Sequence, residues 1–219
     1  MNSSNPITNP SFRKLFTAQI IALVGTGLST VGLSLLAYNL AGENAGAVLG
    51  IALACKMIAY VFFAPIVGGL VHRFARKPFL ISLDVIRAFL VLLMPFVSEL
   101  WHIYLLIFLL NLFSAGFKPV FQAVIPDILE DDVMYGKALS YSRLAYDLEN
   151  LLSPTFAALA LLFFSYSGLF VGNSVAFVIS AAIIVVTTIP MPKLVQRTGS
   201  IWNEVSYGIV AYFKTPRLR

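Results

Sequence analysis

Four of the ionisable residues that stand inside largely apolar stretches could do chemistry. Arg143, Asp147 and Glu149 fall within Tyr141–Pro154, and Lys56 interrupts the apolar run at 45–70. On a helix with 3.6 residues per turn, Arg143 and Asp147 share a face and pair, while Glu149 lies about 200° round from Asp147. Asp147 with its built-in arginine reads as structural. Glu149 has no local partner, and a carboxyl in low-dielectric surroundings suits the handling of a proton or a cation. Lys56 lies too deep for simple snorkelling and needs an acid partner or a watery cavity; Glu149 or an acid outside this sequence would serve. Asn111 is a further polar residue in an apolar run, able to line a pathway or to bond between helices.

A second group is set up for electrostatic latching. The connection Gly68-Gly69-Leu70-Val71-His72-Arg73-Phe74-Ala75-Arg76-Lys77 is short and basic, and Asp127 follows a later apolar run. Gly68 permits close helix approach, and the arginines can pair with carboxylates at neighbouring helix ends, Asp127 first among them. Asp84 and Arg87, three apart, can pair within one helix beside that latch. Farther on, Ser153-Pro154-Thr155-Phe156-Ala157-Ala158 combines small residues, which allow close packing, with a proline that frees a carbonyl and bends a helix. Gly42, Gly46 and Gly50 form a small-xxx-small run, expected to pack statically against a neighbour.

The elements that must position these groups follow from composition. Hydrophobic residues are 59% of the 219-residue chain and charged residues 11%, against about 25% charged in a soluble domain. Six apolar segments read roughly as 15–40, 45–70, 79–97, 103–125, 141–163 and 168–190, each near the ~20 helical residues that cross a bilayer. The runs are continuous rather than alternating, which excludes a barrel, and in lipid every backbone polar group must be paired internally, which requires helices. The predicted fold is all-α: a polytopic bundle of six transmembrane helices. Lysines and arginines fall on alternate connections (Arg13 and Lys14, then Arg73 to Lys77, then Lys137, then the tail from Lys193), while 41–45, 98–102 and 164–167 carry none. Positive-inside bias puts both termini in the cytoplasm. The net charge of +5 resides at helix ends and sets topology, so no nucleic-acid partner is expected. Cys55 is the single cysteine, which excludes an intramolecular disulfide and a thiolate cluster. The first segment is too long for a cleaved signal peptide. Trp202, Val205, Ile209 and Tyr212 or Phe213 recur at helical spacing in the tail, an amphipathic segment.

The connection at Gly68–Lys77 resembles the signature of the major facilitator superfamily, G-x-x-x-D-R-x-G-R-R/K, at the same place in the topology. Gly68, Arg73, Arg76 and Lys77 match; His72 stands where the family has aspartate and Ala75 where it has glycine. The resemblance implies one half of a major facilitator fold: a cytoplasmic tail at 1–14, a six-helix domain at 15–191 and a cytoplasmic linker at 192–219 toward a second half. It implies two inverted three-helix repeats and alternating access around a central site. Ser153–Ala158 resembles the family exporters' G-P-x-x-G-G with small residues in place of the glycines. Arg143–Pro154 together with Ala18–Gly27 is similar to nickel-resistance-type efflux permeases, with drug and siderophore exporters as competitors. The reading is therefore proton-coupled export of a small molecule or ion across the inner (plasma) membrane, with the lipid bilayer and a second six-helix half, in further sequence or as another copy, as partners. No cofactor is called for. Asp147 and Glu149 could give a divalent cation oxygen ligands, but His72 and His102 both lie in connections, so no metal site is complete. A membrane-embedded hydrolase is disfavoured, since Gly172-Asn173-Ser174-Val175 lacks the closing glycine of G-x-S-G and a nucleophile without a base is inert. A six-helix protein acting as a homodimer is the remaining alternative.

Overall fold

The computed structural model describes residues 5–129 and 131–190; the amphipathic tail lies outside them. Among the described residues the chain is all-helical, with long helices α1 (Pro10–Ala41), α2 (Ala45–Leu70), α3 (Arg76–Leu92), α4 (Leu100–Ile128), α5 (Asp132–Leu161) and α6 (Tyr166–Val185). By length and composition four stretches can cross a membrane: Pro10–Leu70, which contains both α1 and α2, then Arg76–Phe96, Leu100–Ile128 and Tyr166–Val185. The polar residues of α5 keep it out of that group.

Local chemistry sets the helix ends. Asn9 caps α1, its side chain accepting from the N–H groups of Ser11 (2.9 Å) and Phe12 (3.1 Å), with Pro10 at the first helical position. The helix therefore begins before the apolar run does and carries Arg13 and Lys14 in its first turns. At its other end Gly42 takes φ +54, a conformation that favours glycine, and its N–H returns to the Tyr38 carbonyl. Asp131 caps α5 through the Val133 N–H at 3.0 Å. Prolines 65, 119, 126 and 154 all lie inside helices that continue past them.

The principal packing pairs are α1 with α6 and α5, α4 with α3 and α2, and α3 with α6. Exchanging α1–α3 for α4–α6 maps this set of pairs onto itself, the pattern of a three-helix repeat. Two apolar clusters occupy the two ends of the bundle. One gathers Phe12, Leu15, Leu80, Phe121 and Ile125; the other gathers Leu36, Val48, Val91, Ile103 and Phe170. Between them runs a polar layer. Gln19 lies between Ala18 of the first cluster and Ala22 of the second, and Asp84 and Arg87 lie between Leu83 and Ala88.

Helix α1 is wedged between two neighbours by two glycines. Gly25 and Gly27 are two residues apart, so they face directions about 200° apart. A Cβ on Gly25 would lie 2.6 Å from Ala176 Cβ of α6, and one on Gly27 would overlap the Ser153 hydroxyl and lie 2.6 Å from Ser153 Cβ of α5. Gly27→Ala is thus expected to push α1 and α5 apart at a cost of about 1–3 kcal/mol, read as a lower melting temperature in detergent. Ser153→Gly in the same chain should restore it, since the next atom is then Cα of residue 153 at 3.4 Å; equal melting of Gly27→Ala and wild type would reject the close approach. Gly46 and Gly50, by contrast, have nothing among the described residues within 4 Å of an added Cβ. The run at Gly42–Gly50 thus contains a helix terminus and two positions that make no close helix contact among the described residues.

Candidate functional site

The polar layer opens into a cleft of about 420 Å³ bounded by α1 to α5. Six charged side chains line it: Lys56 from α2, Arg87 from α3, Lys118 from α4, and Arg143, Asp147 and Glu149 from α5. A second cleft of about 300 Å³ adjoins it between α1, α2, α3, α4 and α6, and Lys56, Thr26 and Thr30 line both.

Glu149 and Lys56, the pair that sequence spacing left to long-range contact, face the same cleft, and the Lys56 charge acts on the Glu149 carboxyl. Glu149 also receives the Ser153 hydroxyl at 3.4 Å, while that hydroxyl bonds the Glu149 carbonyl one turn back. Glu149 borders a third, largely apolar cleft between α1 and α5 as well. Arg143 Nε donates to Asp147 Oδ2 at 3.3 Å, both side chains exposed at 75% and 58%, so this pair is weakly held. Asn111 lines the second cleft, with its amide nitrogen donating to the Ile107 carbonyl of its own helix at 2.8 Å.

Asp84 and Arg87 pair within α3, but away from the basic connection. Asp84 lies eight residues beyond Arg76, about 12 Å along the helix, in the middle of the bundle. The carboxylate is 0% exposed and accepts the Ser180 hydroxyl of α6 at 2.7 Å. The guanidinium is held between the rings of Phe117 (4.5 Å) on α4 and Phe177 (4.4 Å) on α6. The pair therefore ties three helices together at the wall of the cleft, a cation–π arrangement in a desolvated place.

The connection after α2 closes differently. Arg76 at the start of α3 forms an ion pair with Asp127 near the end of α4 and donates to the Ala123 carbonyl at 2.6 Å. A cation at a helix N-terminus opposes its dipole, but the same cation faces the negative end of α4. His72, Arg73 and Lys77 are half-buried around this turn. Gly68 meets Pro119 of α4 only at ordinary contact, 3.7 Å for an added Cβ. In α5, Ser153 and Ala157 are buried, whereas Pro154 and Ala158 are exposed.

Several cleft residues had no distinguishing spacing. Gln19, 1% exposed, exchanges hydrogen bonds with Ser142 across α1 and α5 at 2.7 and 3.1 Å. Asn173 donates to Ser29 at 2.7 Å, and Lys118 stands 5.2 Å over the Tyr146 ring. Each lies in an apolar run, and a lone polar residue in such a run was the available signal.

Comparison with known proteins gives the same architecture a lineage. The chain is 24% identical over 195 residues to macrolide efflux protein A of Streptococcus pyogenes, covering 87% of this chain and 47% of that protein. It is 27% identical over 188 residues to multidrug resistance protein MdtG of Enterobacter lignolyticus, covering 85% and 43%. It is 26% identical over 171 residues to the uncharacterized MFS-type transporter YfiS of Bacillus subtilis, covering 78% and 40%. The chain thus spans about half the length of these curated relatives. The family model for the Major Facilitator Superfamily matches residues 15–216. A match that starts in the second turn of α1 and runs beyond the end of α6 takes in the whole bundle, and the chain belongs to the major facilitator superfamily, a multi-pass membrane protein.

Proposed function

We propose that this chain is the six-span half of a proton-coupled exporter of small organic molecules in the inner (plasma) membrane, with both termini in the cytoplasm. Members of the superfamily are transporters rather than enzymes, and the efflux in the name of the Streptococcus pyogenes relative favours the outward direction. The observation that carries the reading is the mid-bundle cleft lined by both Glu149 and Lys56, whose charge acts on the Glu149 carboxyl, charges that lipid-facing packing alone would exclude. Six spans follow if the α1–α2 stretch crosses twice and α5 turns its polar face to the cleft. A second six-helix half, in further sequence or as another copy, would cover the exposed Lys56, Arg143 and Asp147 side chains.

An organic substrate is preferred to nickel, because among the described residues no group of three His, Cys, Asp or Glu comes together. The test is transport by the complete protein in vesicles under an imposed proton gradient, comparing a macrolide, a planar aromatic dye, an aromatic carboxylate and Ni²⁺. Gradient-driven movement of an organic compound is expected; movement of Ni²⁺ alone, or of nothing, would reject the reading.

The Arg76–Asp127 pair is proposed as the latch of the cytoplasmic end. In a Cys55→Ser background, a cysteine at Lys77 should react with a membrane-impermeant thiol reagent from the cytoplasmic side only. Asp127→Asn should raise that reactivity about fivefold, the equivalent of about 1 kcal/mol in the open–closed balance. Reaction from the outer side would reverse the orientation, and unchanged reactivity would remove the latch.

A further inference from the structure

The two adjoining clefts differ in character and share one charged residue. Among the described residues, the smaller cleft is lined by a single ionisable side chain, Lys56, and by no carboxylate. Its walls are mainly apolar, with Leu33, Leu49, Val91 and Phe170 among them, beside the uncharged Ser29, Ser34, Asn111 and Asn173. Thr26 and Thr30 also line both clefts, but their hydroxyls donate to the carbonyls of Ala22 and Thr26 in their own helix. With their protons so engaged, these hydroxyls do not donate to the cleft.

The larger cleft carries an excess of positive charge. Lys56, Arg87, Lys118 and Arg143 line it, against Asp147 and Glu149 with Asp84 behind Arg87. Arg87 is bound to Asp84 and Arg143 to Asp147, and Lys118 rests over the Tyr146 ring. Among the described residues Lys56 forms no ion pair; its charge acts on Glu149, which lines the same cleft and takes the Ser153 hydroxyl. An incoming cation would therefore meet a surplus of cations, whereas an incoming anion would find Lys56 at the edge of an apolar chamber.

We propose that Lys56 is a substrate-anchoring residue, and that the substrate class is an amphipathic organic anion: its carboxylate or sulfonate meets the Lys56 ammonium where the two clefts join, and its apolar body lies in the smaller cleft. A volume of about 300 Å³ is at the lower end of small-molecule pockets. The division of labour is the usual one for such pockets, with apolar walls for affinity and one placed charge for orientation. The proposal rests on the exporter reading above and narrows its substrate.

Equilibrium dialysis on the purified complete protein, with radiolabelled probes of one skeleton, tests it. 2-Naphthoate is expected to bind about tenfold more tightly than 2-naphthylmethylammonium, as one charge-assisted contact allows. Lys56→Gln should lose that advantage while 2-naphthalenemethanol binds as before, and Lys56→Arg should keep it. Benzoate should bind more weakly than 2-naphthoate if the apolar cleft is in use. Lys56 is an exposed side chain, and the unchanged alcohol binding reports that the fold is retained. No binding of 2-naphthoate to the wild type, equal or tighter binding of the ammonium, or an unaffected Lys56→Gln would each overturn the proposal. Absence of any gradient-driven movement in vesicles would instead defeat the exporter reading and leave a Lys56-dependent naphthoate site standing.

Discussion

Arg87→Met is expected to destabilise the bundle by about 3–5 kcal/mol, the cost of leaving a buried charge without its partner. Asp84 has no exposure to water, and once the guanidinium is gone it keeps only the Ser180 hydroxyl. Asp84→Asn should do comparable damage from the other side, since Arg87 would retain its two aromatic faces but no carboxylate. The double variant Asp84→Asn/Arg87→Met should recover most of the loss, because replacing both members of a buried pair by groups of similar shape removes the desolvation penalty along with the attraction. Thermal melting of detergent-purified protein measures all four forms. Singles that melt with the wild type, or a double no better than the worse single, would show that the pair does not hold the three helices together.

The second large effect is on transport. Glu149→Gln keeps the shape of the side chain and its contact with Ser153 but can neither release a proton nor carry the charge on which Lys56 acts. In vesicles containing the complete protein, proton-gradient-driven efflux should fall to the level of protein-free vesicles, while substrate exchange without a gradient continues. Asp147→Asn is the control: that carboxylate is 58% exposed and bound to Arg143, so its loss should leave the gradient-driven rate near wild type. Retained coupling in Glu149→Gln, or equal loss in both variants, would take the coupling role away from Glu149.

These groups were legible in the sequence to different degrees. Hydropathy places the apolar runs, and helical spacing alone brings Arg143 to Asp147 and Asp84 to Arg87, because those contacts are local. It could not place the second pair relative to the bundle. The sequence reading set it beside the basic connection, whereas Phe117, Phe177 and Ser180 approach it from helices 30 to 100 residues away and fix it at mid-depth. Small-residue spacing was a poor guide for the same reason. Gly42, Gly46 and Gly50 mark a face that can be approached closely but not whether a neighbour comes, and among the described residues none reaches Gly46 or Gly50. Gly25 and Gly27, without that spacing, make the tight contacts with α6 and α5. Helix α5 shows the limit of hydropathy itself: the residues that line the cleft are those that lower its apolar score.

The Asp84–Arg87 contact has a consequence for biogenesis. The ribosome completes α3 before α4 and α6 exist. With its guanidinium and carboxylate one turn apart, α3 brings its own counter-ion to the bilayer and need not await a partner segment. Phe117, then Phe177 and Ser180, emerge later in the chain and can close around a pair that is already neutral.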